Sequence, residues 1–591
     1  MPRSRGLMEG NAMRKRTRWI VLAVVVVLLA VGGYAAWRAL QVKDELGGAV
    51  DAASELRSAL QSGDDKAADD ALASLRAHAA AADEGTSGPT WSVLTRLPFV
   101  GDDAHAVRVI SAVAFDLSGD GVAPLVDAGA LDLEGFAPKD GRIDLTRIDK
   151  LSAPISTSAE AFAVAEKRLS AVDADGLVGP LASRWKQAMG DVRDAADGLE
   201  AGRVTARVLP AMLGADGPRK QLLVFQTNAE PRAPGGMPGS LATIDVRNGR
   251  LELARQRSAS SFGELDTPVL PITKDEETRF GPQLGTFVMD AAFTPHFPRE
   301  AELIAARWTQ EYDEELDGVV AIDPVALGYL MEATGPIKVG NVELTSENVA
   351  EELLHGAYLR TPDPKLQDLW FESVAGSVFQ RISDGPVDGE RLVRELARGV
   401  DEGRIYVSSF HDEEQAELAG TKVAGEVPSS TQAAPQAGVY LNDSTASKMG
   451  WFLDYDVTVK SSCDGGKRRG LVATMDISSS LKPGTKLPEA VTGPGIFGTA
   501  KGEHLVSVEL FGPQGGTLGR IKFDGEDQAN AEFSSYLNHP TTSVAVFLGA
   551  GAKHQITWTM NTDSAASDQP VVVRVSAGVH PEDKSVVAPA C

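Results

Sequence analysis

The spacing of hydrophobic positions changes along the chain, which begins with one long apolar run. Residues 19–37 carry no charge, and a helix of that length, rising about 1.5 Å per residue, crosses a hydrocarbon core of roughly 30 Å. Across residues 41–205, Ala and Leu recur with heptad-like spacing, as at Leu46, Val50 and Leu56. The pattern predicts a transmembrane helix followed by a helical stalk or bundle.

Residues 206–427 show a mixed pattern. Apolar segments of strand length, such as 221–227, alternate there with helical segments such as 324–334, which predicts an α/β domain. Over residues 428–591, turns rich in Gly, Pro and Asn separate strand-like segments at 452–459, 469–477, 505–511, 542–548, 555–560 and 571–575. This spacing is typical of a β-sandwich, so the predicted fold class is multidomain α+β.

The segment before the apolar run is strongly basic. The first 18 residues contain six Lys and Arg residues against the single acidic residue Glu9. Positive-inside bias predicts that residues 1–18 are a cytoplasmic tail and that the bulk of the chain is extracytoplasmic. A cleaved signal peptide is the alternative, but its apolar region is only about 7–15 residues long. We therefore expect a single-pass protein of the cell membrane.

Composition restricts the partners and the redox chemistry. The formal net charge of −25 argues against nucleic acid as a partner of the outer part. The only cysteines are Cys463 and Cys591. In an oxidising compartment they can form a disulfide, to which the chain-entropy model assigns roughly 4–5 kcal/mol. Two unpaired thiols are the alternative.

An unusual polar segment follows the first strand of the α/β domain. Asn228, Glu230 and Arg232 fall on alternate residues, where side chains of one face converge beyond a sheet edge. An Arg fork recognises phosphate or carboxylate, Gly235 and Gly236 allow close backbone approach, and a carboxylate can hold a hard cation. The alternative is an Arg–Glu ion pair that braces a turn.

Three segments of the chain are distinctive motifs: Lys220-Gln-Leu-Leu-Val-Phe-Gln-Thr-Asn-Ala-Glu-Pro-Arg-Ala-Pro-Gly-Gly, Leu316-Asp-Gly-Val-Val-Ala-Ile-Asp and Asn442-Asp-Ser-Thr-Ala-Ser-Lys-Met. In these motifs the chain resembles an actinobacterial membrane-anchored family known as domain of unknown function 4012. The family name carries no activity.

The order of these segments is also similar, more distantly, to the LytR-CpsA-Psr family. That resemblance implies an external α/β domain that transfers glycopolymers from polyprenyl-pyrophosphate carriers to the cell wall, using arginines and Mg²⁺. It assigns the phosphates to Arg232 and Arg360, and the metal to Glu230, Asp290 or Asp363. The chain departs from the family where Gln367-Asp368 replaces an Arg-Gln pair, so the resemblance predicts the fold and leaves the reaction open.

Two functions follow from these observations. The first is a cell-envelope protein that binds or transfers polyprenyl-pyrophosphate-linked cell-wall glycopolymers. The second is a non-catalytic envelope scaffold or adhesion protein. The sequence has no Walker loop, no HExxH and no CxxC pair, so other common catalytic classes have no support.

Overall fold

The structure, a computed structural model, describes residues 34, 37–60, 64–129, 136–427, 436–462, 470–496, 498–562, 571–580 and 585–587. The chain divides into two compact units, Met1–Asp132 with Thr146–Ala206, and Leu133–Leu145 with Arg207–Cys591. The predicted cytoplasmic tail, nearly all of the predicted membrane helix at 19–37, and both cysteines, Cys463 and Cys591, lie outside the described residues.

The N-terminal part of the described chain is helical, as predicted. Helix α2 begins after Asp64, whose side chain accepts a 3.0 Å hydrogen bond from the backbone N–H of Ala67. Ala52 and Leu72 belong to one buried cluster of small and aliphatic side chains. The helices are α1 at 37–60, α2 at Asp65–Ser87, α3 at Pro89–Leu94, α4 at Gly101–Asp116, α5 at Ala123–Asp127, α6 at Leu145–Ser170 and α7 at Gly179–Met212.

Helix α6 contains Pro154 and continues through it. The sequence predicts a break at this proline, and that prediction is wrong. Proline removes one backbone hydrogen bond and crowds the preceding turn. The buried residues Leu151, Ser158 and Ala159 lie on both sides of it, and their packing offsets the local cost.

One helical stretch in the described part of the chain, Gly101–Asp127, is long and apolar enough by length and composition to cross a membrane. It comprises α4, a π-helical turn at Leu117–Gly121 and α5. Its residues Ala106 and Val113 also belong to a buried cluster with Leu169 and Trp185. The stretch therefore contributes to the packing of the helical unit.

A mixed five-stranded sheet forms the centre of the second unit. Its strands are β1 at Arg219–Arg232, β2 at Gly235–Arg247, β3 at Arg250–Ser258, β4 at Gly318–Ile322 and β7 at Ile405–Ser409, while β5 at Ile337–Val339 pairs with β6 at Val342–Leu344. The spatial order is β3-β2-β1-β4-β7. Strand β1 is antiparallel to β2 and parallel to β4, which confirms the predicted mixture of strands and crossover helices.

Helices cover this sheet and close its core. The apolar face of the helix at 297–312 packs on the sheet through Phe297, Ile304 and Trp308, which are fully buried. The helices of this region are α8 at Lys274–Phe280, α9 at Gln283–Thr286, α10 at Phe297–Tyr312, α11 at Pro324–Thr334, α12 at Val349–Glu351, α13 at Ala357–Arg360, α14 at Pro364–Asp384, α15 at Gly389–Asp401 and α16 at Asp412–Leu418.

The pairing of β1 with β2 is irregular near its end. Register shifts occur between Phe225 and Gln226 and again between Thr227 and Pro231. A β-bulge changes the direction of side chains and increases strand twist. Here it brings consecutive side chains of β1 toward one region rather than onto opposite faces of the sheet.

Two further sheets form the C-terminal part of the second unit. Their orders are β13-β12-β16-β10-β9-β18 and β14-β15-β11-β8-β17, and both contribute to one buried core that includes Val457, Val508 and Trp558. All six predicted strands are present. The elements are β8 at Gln436–Asp443, β9 at Leu453–Ser462, β10 at Gly470–Ser479, α17 at Glu489–Thr492, β11 at His504–Phe511, β12 at Thr517–Phe523, β13 at Glu526–Asp527, β14 at Ser534–Tyr536, β15 at His539–Leu548, β16 at Lys553–Asn561, β17 at Val572–Val575 and β18 at Ser585–Val587.

The C-terminal sheets are hydrogen-bonded to the central sheet. The backbone N–H of Ala233 donates to Oδ1 of Asn442 at 3.0 Å. Nδ2 of Asn228 donates to the carbonyl of Ala577 at 3.1 Å, and Nη1 of Arg404 donates to the carbonyl of Gly578 at 2.8 Å. The end of β1 is thus held by hydrogen bonds to residues that lie far along the chain.

Candidate functional site

A cavity of about 660 Å³ lies within the second unit. Residues of strands β1, β2 and β3 and of helices α11 and α14 line it. The 3₁₀ turn at Val288–Phe293 and the segment 443–448, which follows β8, complete the wall. A cavity of this size is in the range of small-molecule and cofactor sites.

Arg232 is the centre of a charged cluster in this cavity. Its side chain is 5% exposed, and Nη2 lies 3.2 Å from Oδ1 of Asp290 and 3.7 Å from Oε1 of Glu230. Nη1 donates to the carbonyl of Asp443 at 3.2 Å, and the guanidinium lies 4.7 Å from the ring centroid of Phe293. The fork is therefore fixed by carboxylates, a carbonyl and an aromatic face.

Lys448 is the second cation of the cluster. Its Nζ forms an ion pair with Oε2 of Glu230 and lies 5.5 Å from the ring centroid of Tyr358. Burial by itself would lower the pKa of Lys448, but Glu230, Tyr358 and Asp443 together outweigh burial and raise that pKa above its ordinary value. Lys448 is therefore charged at neutral pH.

The segment that carries Lys448 is held by its own hydrogen bonds. Thr445 donates its backbone N–H to Oδ2 of Asp443 at 3.1 Å, and its hydroxyl lies 2.9 Å from that of Ser447. Nε2 of His504 lies 3.0 Å from Oδ1 of Asp443. Burial alone would raise the pKa of Asp443, but contact with His504 keeps it below the usual value. The loop is pre-organised around a carboxylate.

The pKa of Asp290 is shifted in the opposite direction to that of Asp443. Burial raises the pKa of this carboxyl, and the neighbouring Arg232 only partly opposes the rise. The cluster contains two cations, Arg232 and Lys448, and two carboxylates, Glu230 and Asp290, so the formal charges of these four groups cancel. An anion that enters the cavity must compete with the carboxylates that already form ion pairs with both cations.

The structure brings together only some of the predicted site residues. Glu230, Arg232 and Asp290 line the cavity. Asn228 does not line it, and its Nδ2 donates to Oδ2 of Asp323 at 2.9 Å. Its remaining amide oxygen, Oδ1, has no hydrogen-bond partner among the described residues.

Gly235 and Gly236 serve the hairpin rather than a ligand. A Cβ on Gly236 would lie 2.5 Å from the carbonyl carbon of Thr227, so β1 and β2 approach too closely there for any side chain. Gly235 has a φ of 132°, a conformation that favours glycine. The expected long polar loop is instead a tight β1–β2 hairpin.

Arg360 and Asp363 lie outside the cavity lining. Arg360 is exposed, forms an ion pair with Glu352 and lies 5.6 Å from the ring centroid of Trp370. Asp363 is exposed and caps α14 by accepting a 2.9 Å hydrogen bond from the backbone N–H of Lys365. The expected pairing of Arg360 with Arg232 is absent from this site.

The predicted Mg²⁺ site gains no geometric support. Mg²⁺ requires near-octahedral oxygen coordination, but the described residues contain no group of three or more His, Cys, Asp or Glu side chains arranged to hold a metal. Glu230 and Asp290 both face Arg232 instead. These residues do not fit a resident metal ion.

Lys448 and Asp443 are the site residues that sequence reasoning missed. They lie in the motif Asn442-Asp-Ser-Thr-Ala-Ser-Lys-Met, but 218 residues separate Lys448 from Glu230. A polar motif directly after a strand indicates candidate site residues, because such segments lie at sheet edges. Its partner strand cannot be identified from one sequence.

A family model matches part of the central domain. Residues 216–358 match the family described as Protein of unknown function (DUF4012). The match covers less than half of the chain, so it is a similarity of this segment. The match includes Glu230, Arg232 and Asp290, whereas Lys448 and helix α14 follow the matched DUF4012 residues.

Solved structures show only slight similarity. The transcriptional regulator yvhJ from Bacillus subtilis is 13% identical, with 34% of this chain and 77% of that chain covered and a TM-score of 0.19. A transcriptional regulator (EF0465) from Enterococcus faecalis is 14% identical, with coverages of 36% and 73% and a TM-score of 0.20. No curated protein matches the chain. TM-scores this low give no information on the site.

Proposed function

We propose that this chain is a membrane-anchored cell-envelope protein whose cavity binds an amphipathic anion, such as a polyprenyl-pyrophosphate-linked glycopolymer. Residues 19–37 would be the anchor, with residues 1–18 cytoplasmic and the second unit extracytoplasmic. The observation that carries the proposal is the presence of two cations, the buried Arg232 and the half-buried Lys448, in one cavity that also has apolar lining residues.

The cavity combines the two chemistries that such a ligand needs. Arg232 offers a planar fork for phosphate and Lys448 a point charge. Leu327, Phe371 and Val378 belong to the apolar wall on the side of α11 and α14. A phosphate would replace the carboxylate of Glu230 between the two cations, and an isoprenoid chain would contact the apolar wall.

Binding has more support than transfer. The residues facing the cavity do not fit a resident metal, and both cations already have internal carboxylate partners. Neutralising a pyrophosphate leaving group requires strong positive charge. The positive and negative charges of the cluster balance. This balance favours binding of an anion over a reaction at its phosphate groups.

The second candidate is a non-catalytic envelope scaffold or adhesion protein. The internal ion pairs favour it, because Glu230, Arg232 and Lys448 join the central sheet to the segment after β8. In that case the network stabilises the packing of the two regions. Removing one buried charge would then change stability without affecting any ligand.

Titration of the full-length chain in lipid nanodiscs with farnesyl pyrophosphate tests the proposal. We expect saturable binding without added Mg²⁺, weakened at least tenfold in Arg232→Lys and in Lys448→Gln. Arg360→Gln is the matched control, since Arg360 is exposed and outside the cavity lining. Melting temperatures measured in parallel report folding of each variant. No binding by the wild-type chain refutes the proposal and favours the scaffold.

A further inference from the structure

The connection between helices α3 and α4 exposes a run of apolar side chains. Within residues 93–100, four large hydrophobic side chains are exposed by 57%, 44%, 98% and 45%, namely Val93, Leu97, Phe99 and Val100. Arg96 is the only charged residue of this segment. Single exposed apolar residues are normal at a protein surface, but a group of them indicates an interaction site. We name residues 93–100 the apolar loop.

The backbone fixes the outward position of the loop. Phe99 has a φ of 72°, a left-handed conformation that residues other than glycine rarely adopt. The chain turns tightly here, because a Cβ on Gly101 would lie 3.0 Å from the carbonyl oxygen of Thr95. On the other side of the loop, the buried Trp91 donates its indole N–H to the carbonyl of Ala104 at 2.8 Å. A turn that is fixed at both ends therefore sets the exposure of Phe99.

The apolar loop lies beside the start of α1. Trp91 and Ala104, which flank the loop, belong to one buried cluster with Val42 of α1. Val42 follows Trp37, the last residue of the predicted membrane helix, by five residues, which is about 7–8 Å along a helix. The loop is therefore held close to the point where the chain would leave the bilayer.

The pairing of α1 with α2 accounts for this position. Leu56 of α1 and Leu72 of α2 share one buried cluster. Gly85, near the end of α2, lies against the side chain of Val42 near the start of α1. Helix α2 thus runs antiparallel to α1 and returns the chain to the level of Val42, where α3 and the apolar loop follow.

Lipid is the occupant that this position favours. Tyr34, Trp37 and Leu40, at the same end of the helical unit, are 47%, 52% and 58% exposed, and aromatic residues are enriched at membrane–water interfaces. Large apolar side chains fit the boundary between headgroups and acyl chains, while the long side chain of Arg96 can reach the headgroups. Since the loop has no cluster of basic residues, burial of apolar surface rather than attraction to anionic lipid would drive the contact.

We propose that the apolar loop inserts into the extracytoplasmic surface of the bilayer and forms a second membrane contact of the helical unit. This inference rests on the proposed function, because it requires residues 19–37 to be the anchor. It goes beyond that function, since one helix alone leaves the helical unit free to pivot, whereas two contacts fix its orientation on the membrane.

Photolabelling of the full-length wild-type chain tests the inference without any substitution. The chain is placed in phosphatidylcholine nanodiscs in which some lipid carries a diazirine within an acyl chain, and tryptic peptides are then analysed by mass spectrometry. We expect peptide 97–108, which contains Phe99, to be labelled at least tenfold more than peptide 44–57. That control peptide contains Val50, which is 70% exposed but lies about 12 Å beyond Val42 along α1. Peptide 19–38 reports the anchor.

A pair of variants checks the role of the side chains. In Leu97→Ser with Phe99→Ser, we expect labelling of peptide 97–108 to fall at least fivefold while peptide 19–38 is labelled as before. Val50→Ser is the matched control and should change neither. Melting temperatures should stay the same, because all three side chains are exposed.

The outcomes separate the loop from the anchor. Label in peptide 19–38 without label in 97–108, as when a second copy of the chain covers the loop, overturns the inference alone. Equal labelling of 97–108 and 44–57 also overturns it, as does labelling that persists in the double variant. Absence of label from peptide 19–38 removes the anchor, and with it both the proposed function and this inference.

Discussion

Glu300 is a fully buried carboxyl on α10, and its pH response can be worked out from the structure. Both of its carboxyl oxygens lack a hydrogen-bond partner among the described residues. Burial raises its pKa to about 8, and the adjacent Gln226 opposes this only weakly. The side chain is therefore mainly protonated at neutral pH in the folded chain and ionised in the unfolded chain.

The magnitude follows from proton linkage. A pKa of about 8 when folded against the ordinary value of 4.5 corresponds to about 5 kcal/mol at 1.36 kcal/mol per pH unit. Because the folded chain binds this proton more tightly, the contribution to stability is greatest below pH 4.5. It is lost as the pH rises to about 8. Between pH 5 and pH 7 the loss is about 3 kcal/mol.

Glu300→Gln removes the ionisable group and keeps its size, so the variant should lack this loss. We expect the free energy of unfolding of Glu300→Gln, relative to wild type, to increase by about 3 kcal/mol between pH 5 and pH 7. Urea denaturation of both chains at four pH values measures it. Glu302→Gln, with a side chain 51% exposed, is the control. Parallel pH profiles for wild type and Glu300→Gln would refute the reasoning.

Two further predictions concern stability. Arg404→Ala should lower the free energy of unfolding by about 3–5 kcal/mol, because it leaves Asp323, 2.9 Å away and 1% exposed, without its ion-pair partner. Urea denaturation checks this, and a loss below about 1 kcal/mol contradicts it. Gly236→Ala should lower the melting temperature because its Cβ meets the backbone of Thr227. Gly376→Ala, in α14 with no atom within 4 Å of its Cβ, should raise or preserve it.

The elements were largely predictable because their signals are local. Helix α11 occurs at the predicted residues 324–334, where Asp323 caps its first turn through the backbone N–H of Ala326. The strands of the C-terminal sheets follow from alternation, as in β10, where buried and more exposed residues alternate along the strand. In each case the deciding interactions lie within a few residues.

The site was predictable at the end of β1 and at Asp290. Glu230 and Arg232 were expected to act together, and they do lie together in the cavity. Arg360 was expected beside them, but it lies outside the cavity lining and forms an ion pair with Glu352. The contribution of Lys448 depends on a contact with Glu230, 218 residues earlier in the chain, and a single sequence does not show which distant segments pack together.

The carbonyls of Ala577 and Gly578, which accept hydrogen bonds from Asn228 and Arg404, have a consequence for biosynthesis. They lie 349 and 174 residues after their donors. At about 5–20 residues per second, a ribosome needs roughly 20–70 seconds to proceed from Asn228 to Ala577. During that interval the nascent central sheet lacks these acceptors, and a recombinant fragment ending at residue 427 lacks them permanently.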